Sequence, residues 1–247
     1  MTTPVITSQP ARGELVSAPA AHLVNEGWKP LYRIAAWAAL LSVAFIFIAG
    51  IVYAISPPPT TIEGWFSLYH DNWLLGLLDA DLMMLASYVF MGLIYMALYG
   101  ALHRINQPFM ALATALAFVG MAAYYAANPA FSMLSLSNQY AAATSATERT
   151  ALLGAGQAVI ANWTGSAFDV AYFLSAIAVL IVSVVMLRSH VFGKPTAYAG
   201  LALGVLALVP ATAGMLGVVF SFVSLIPTIV WFVLIARRFF QLGRSAS

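Results

Sequence analysis

The chain has 247 residues, 62% of them hydrophobic and only 7% charged, with a mean hydropathy of +0.91 and a net charge of +2. A soluble domain carries about 25% charged residues. The composition therefore excludes a soluble globular protein, and basic residues scattered singly or in a pair exclude a nucleic-acid surface. With no cysteine, disulfides, thiol catalysis and thiolate-bound metals are excluded as well.

Residues 1–28 hold Pro4, Pro10, Pro19, Arg12 and Glu14 and no apolar core, so they read as a polar cytoplasmic tail, not a cleavable leader. The first apolar segment, 31–55, is expected to act as its own insertion signal. It stops at Ser56-Pro57-Pro58-Pro59, where three prolines cannot continue a helix, and a stiff external loop is expected to follow. A second span of 73–99 is closed by His103, Arg104 and Asn106-Gln107-Pro108, and a third of 109–127 by Asn128-Pro129. Residues 130–150 read as the longest loop, with Ser145 or Thr147 ahead of Glu148 as a helix start. A surface lead-in to about Asn162 then precedes a fourth span, 163–187. The fifth (196–216) and sixth (218–236) follow the basic turn Arg188, His190, Lys194-Pro195. Pro210 and Pro227 are expected as kinks within them, Gly214 to Gly217 as the tight return between them, and 241–247 as a second cytoplasmic tail.

The sequence thus predicts an all-α, polytopic membrane bundle of six transmembrane helices occupying 29–240, with both termini cytoplasmic. Charge agrees with that layout. Arg12, Lys29, Arg33, Arg104, Arg188, Lys194, Arg237, Arg238 and Arg244 fall on one face and Arg149 alone on the other, as lysine and arginine collect on the cytoplasmic side.

Acids inside apolar segments are the candidate functional groups, because an ionised carboxylate in a span is costly unless it faces a cavity or a partner. Asn72-Trp73 followed by Asp79 is echoed by Asn162-Trp163 followed by Asp169. In a continuous helix this spacing puts asparagine and acid on one face, with the acid about 9 Å below the tryptophan. Two parallel helices could then present Asp79 and Asp169 at equal depth, lining an outward-opening polar cavity or forming a protonated structural pair. Tyr124, Tyr125, Asn128 and Tyr172 reach a similar level and could complete the cavity, or serve as interfacial anchors and interhelical hydrogen bonds. Asp81 aligns with Tyr88, Tyr95 and, more loosely, Gly92 and Tyr99. That stripe reads either as a polar path or as a packing seam.

Other chemistries lack their residues. The only lysines, Lys29 and Lys194, lie at the cytoplasmic edges, which rules out an internal retinal Schiff base. His22, His70, His103 and His190 are terminal or at loop edges, which argues against haem b. His70-Asp71 has no HExxH or histidine-rich company, so no metal is expected, and Gly76-Leu77-Leu78 before Asp79 is not the pattern of intramembrane aspartyl proteases. No catalytic residues and no cofactor are assigned.

With Leu77-Leu78-Asp79 early in the second span, Leu98-Tyr99 and Leu102-His103-Arg104-Ile105-Asn106 before the third, Phe168-Asp169 early in the fourth, and a basic turn before the fifth, the chain resembles the bacterial six-helix membrane proteins grouped as domain-of-unknown-function family 4386. The likeness covers 30–240 and departs from the family at Asn162-Trp163, where a histidine-containing stretch is expected. It implies a bacterial inner (cytoplasmic) membrane location and no established activity. The functional expectation is a binding or transport-like protein for a small cation or a polar, lipid-derived molecule. An accessory subunit of a larger membrane complex and an intramembrane enzyme are the alternatives. Expected partners are membrane lipids and partner subunits or further copies of the chain, with no nucleic acid.

Overall fold

The computed structural model describes residues 26–244; most of the N-terminal tail and residues 245–247 lie outside the described residues. Ten α-helices and no strand occur among the described residues. After a short 3-10 turn, α1 (Lys29–Ile55) starts with Pro30 in its first turn, where the missing N–H costs nothing, and stops at Ser56 before the three prolines. The segment expected as a stiff loop instead contains α2 (Ile62–Asp71), which Thr61 caps by accepting the Gly64 N–H at 3.1 Å. Asn72 ends α2 and begins α3 (Trp73–Asp79), accepting the Leu75 N–H at 3.0 Å.

The expected second span is not one helix. After α3 the backbone breaks, and α4 (Leu82–Leu102) starts from Asp81 in the left-handed conformation, with φ 65° and ψ 31°. Helix phase therefore does not carry from Asp79 to Asp81. α5 (Gln107–Ala127) is capped by Asn106, and Asn128-Pro129 leads directly into α6 (Ala130–Ala142), in the stretch expected as the longest loop. The expected start at Ser145 is present: its hydroxyl accepts the Glu148 N–H at 3.2 Å, while the Glu148 carboxylate accepts the Thr144 N–H at 3.3 Å. From it runs α7 (Ala146–Trp163), and Thr164-Gly165 separates this from α8 (Ser166–Leu187).

The last two elements differ most from the sequence-based layout. α9 (Lys194–Leu206) ends ten residues before the expected limit, and α10 (Gly214–Arg244) is much longer than expected. Residues 207–213 make the return, and Gly214 to Gly217 open α10. Pro210 sits in that return, its carbonyl accepting the Ala213 N–H at 3.0 Å. Pro227 does lie inside its helix.

Five helical stretches, 29–55, 82–102, 107–142, 146–187 and 214–244, are long and apolar enough to cross a membrane. This is the pattern of a multi-pass membrane protein. At 1.5 Å per residue, a run of 36 residues reaches about 54 Å, well beyond a hydrocarbon layer of about 30 Å. The helices accordingly divide between two cores. The main one joins α1, α4, α5, α8, α9 and α10 around Tyr32, Ile94, Leu98, Met110, Val182, Trp231 and Phe239. The smaller one packs α2, α3 and α6 through Trp65, Phe66, Tyr69, Leu77 and Met133, with α7 against it.

Small residues set the spacing in the main core. α1 presents Ala35, Ala36, Ala38, Ala39 and Ser42 to its neighbours. On α9, Gly200 and Gly204 lie on one side at a four-residue interval. A Cβ at Gly204 would meet Leu180 of α8 at 2.6 Å, and one at Gly200 would strike Ser183 and meet Trp231 of α10 at 2.6 Å. The short helix is held by this close approach. At one end of the bundle the Arg33 side chain donates to the Gly243 carbonyl at 2.9 Å and Arg238 donates to the Val191 carbonyl, so the start of α1, the α8–α9 turn and the end of α10 converge.

Candidate functional site

The break between α3 and α4 places the two neighbouring acids in different surroundings. Asp79 ends α3 and is fully buried. One of its oxygens accepts the Ser56 hydroxyl at 3.0 Å, and Oδ1 has no partner. Asp81, freed from helical geometry, turns the other way. Its Oδ1 accepts the Tyr53 hydroxyl from α1 and its Oδ2 accepts the Tyr124 hydroxyl from α5 at 3.4 Å. The Ala80 carbonyl left over at the break accepts the Asn128 side-chain amide at 3.1 Å, while the Asn128 oxygen accepts the Ala130 N–H at 3.0 Å. Asn128 thus ties two helix discontinuities together.

Asp81 lies on a half-open cavity of about 420 Å³ lined by α1, α4, α8, α9, the 207–213 return and α10. That size is typical of small-molecule sites. Around it stand Tyr53, Tyr88, Tyr95 and Tyr172, and the hydroxyls of Ser42, Ser87, Ser175, Ser221, Ser224 and Thr228. Most of the wall surface is nevertheless apolar, and among the described residues no lysine, arginine or histidine lines it. Tyr88 stacks on Tyr124 with ring centroids 4.2 Å apart and 9° between planes, an arrangement worth about 0.5–1.5 kcal/mol beyond the buried area. Tyr172 and Ser221 are hydrogen-bonded at 3.2 Å. Tyr95, only 1% exposed, packs into the wall with its hydroxyl buried and without a hydrogen-bond partner among the described residues.

A second cavity of about 220 Å³ adjoins the first and shares Ile46, Tyr53, Asp81, Met84, Ser87, Ser221 and Leu225 with it. The arrangement can therefore surround a small molecule with tyrosine faces and hydroxyls and offer one carboxylate as counter-charge.

The structure distributes the expected site residues unevenly. Asp81, Tyr124 and Tyr172 come together at or beside the cavity, and the stripe of Asp81 with Tyr88 and Tyr95 lines it. Asp79 and Asp169 do not share a partner. Asp169 is in the first turn of α8 and accepts the Thr212 hydroxyl from the α9–α10 return, and neither acid lines the cavity. The echo that suggested pairing them fails on local geometry. Asn72 begins α3, but Asn162 lies near the end of α7, so Thr164-Gly165 interrupts the helix before Asp169. Asn162 instead donates to the Ala126 carbonyl at 3.3 Å. Asn72 is spent on capping, Asn128 on the backbone break, and Tyr125, 41% exposed, donates to the Leu85 carbonyl at 3.3 Å.

Tyr53 and the serines are the residues that sequence reasoning missed. Their signal was a helical stripe, Ser221, Ser224 and Thr228 around Pro227 on α10 and Ser42, Ile46 and Tyr53 on α1. Among the described residues no group of histidine and acidic side chains could hold a metal ion. No family model, curated protein or solved structure matches the chain.

Proposed function

We propose that this chain is a six-crossing protein of a bacterial cytoplasmic membrane, both ends cytoplasmic, whose bundle cavity binds a small cation or polar molecule with Asp81 as counter-charge. The observation that carries this reading is a carboxylate on a largely apolar cavity edged by tyrosines and hydroxyls, with no basic side chain on its wall among the described residues. An uncompensated charge at such a place costs several kcal/mol, and a bound cation removes that cost. Five apolar stretches supply five crossings, and α9 together with the 207–213 return supplies the sixth. The convergence of Arg33, Arg238 and the chain's last helix at one end supports placing both ends on the basic, cytoplasmic side.

The test is calorimetric titration of the purified protein with ethylamine and tetramethylammonium, parent against Asp81→Asn and Asp169→Asn. Asparagine at 81 keeps the size and tolerates the left-handed backbone, removing the charge and one of the two acceptor oxygens. Binding lost in Asp81→Asn and kept in Asp169→Asn is the expected result. Equal titrations for all three proteins overturn the reading.

A further inference from the structure

The smaller cavity has exposed apolar residues among its lining. Its wall is built by α1, α4 and α10, and it carries Phe45, Ile46, Ala49 and Gly50 from α1, Met83 and Met84 from α4, and Phe222 and Leu225 from α10. Phe222 is 68% exposed and Gly50 and Met84 are also exposed, so these residues form a rim on the apolar flank of the molecule. Ile51, Val223 and Ile226 continue that exposed apolar flank beside it. A substituent added at Gly50 would find no atom within 4 Å. The inner end of the same opening is Asp81, with Tyr53, Ser87 and Ser221 around it. Polarity therefore rises in one direction, from an apolar rim to a carboxylate.

Resting on the cavity reading above, we infer that the ligand is an amphiphilic amine, a protonated amino group on a hydrocarbon tail, that enters from the bilayer past the rim of Gly50, Met84 and Phe222. The ammonium meets Asp81 and the tyrosine faces beside it, where a desolvated cation gains from both. Hydroxyls of Ser87 and Ser221, which line both cavities, are the acceptors offered to its remaining hydrogens. The tail lies along Ile46, Met84, Phe222 and Leu225. A phospholipid headgroup is a poorer fit, because its phosphate would find no lysine, arginine or histidine on either wall.

The experiment measures saturable binding of labelled octylamine to the full chain in phosphatidylcholine nanodiscs, with empty discs subtracted. Ethylamine and octanoate are the comparison ligands, and Asp81→Asn and Gly50→Trp the variants. Gly50→Trp occupies the rim without touching the packed interior, and an unchanged thermal midpoint verifies that it folds. Octylamine affinity at least tenfold above that of ethylamine and of octanoate, lost at least tenfold in Asp81→Asn and in Gly50→Trp, is the expected result. Equal, Asp81-dependent binding of ethylamine and octylamine with no effect of Gly50→Trp overturns the amphiphile and its side entrance while leaving the cavity reading standing. Absence of any Asp81-dependent binding overturns both. Loss of octylamine binding in discs enriched in phosphatidylethanolamine would identify a lipid headgroup as occupant and overturn the assignment to a simple amine.

Discussion

The Tyr53 hydroxyl donates to the Asp81 carboxylate, joining the last turns of α1 to the left-handed residue from which α4 starts. One turn further along α1, Ser56 donates to Asp79, so the end of this helix holds both acids on either side of the break. Removing the Tyr53 donor leaves Asp81 with the longer bond from Tyr124, at 3.4 Å. Tyr53→Phe is therefore expected to lower stability by about 1–3 kcal/mol, the cost of an under-satisfied buried acceptor. Tyr124→Phe should cost less, because a bond of that length is weak. Chemical denaturation in mild detergent followed by tryptophan fluorescence checks the order.

Asp81 combines a charge role and a backbone role, and substitutions separate them. Asparagine retains the left-handed conformation but accepts from only one of the Tyr53 and Tyr124 hydroxyls and should cost about 1 kcal/mol, whereas Asp81→Val loses both acceptors, places a β-branched residue at positive φ and should cost about 3 kcal/mol or more. Thermal midpoints of the two variants against the parent decide this. Matching losses would show that the charge and not the backbone conformation dominates.

Asn128 caps the carbonyl exposed by the break, and nothing else in the sequence looks like a cap for it. Asn128→Asp keeps the oxygen that accepts the Ala130 N–H but removes the amide that donates to Ala80. A loss of about 1–3 kcal/mol is expected. Faster hydrogen exchange at the start of α4, measured by mass spectrometry, would locate the effect.

The α9 seam admits no side chain at two positions. Gly204→Leu forces Leu180 and Val179 of α8 aside, since even a methyl group would approach them at 2.6 and 2.9 Å. Overpacking of this kind costs about 1–3 kcal/mol, and thermal unfolding should show it. At Gly154, where an added Cβ meets nothing within 4 Å, the same substitution should be silent or mildly stabilising.

Several features of this molecule were legible in the residues themselves. The helix start at Ser145 and the stop before Pro57 follow from capping and proline chemistry that acts within a few residues. The alignment of Asp81 with Tyr88 and Tyr95 was visible as a stripe of helical period, and those side chains do share a wall. The expected meeting of Asp79 and Asp169 was a different kind of inference. It assumed that two unbroken helices would carry a spacing faithfully; α3 does carry it from Asn72 to Asp79, but Thr164-Gly165 breaks the helix between Asn162 and Asp169.

Composition and local chemistry alone determined that this is a chain of apolar helices, several of them long enough to cross a membrane, because burial of apolar surface and backbone hydrogen bonding depend on residue type and near neighbours. Tertiary structure alone decided which acid faces open space. Whether a carboxylate looks into a cavity or against a serine depends on where the backbone leaves the helix, and at Asp81 that departure is held by Tyr53, Tyr124 and Asn128, contributed by elements distant in the chain.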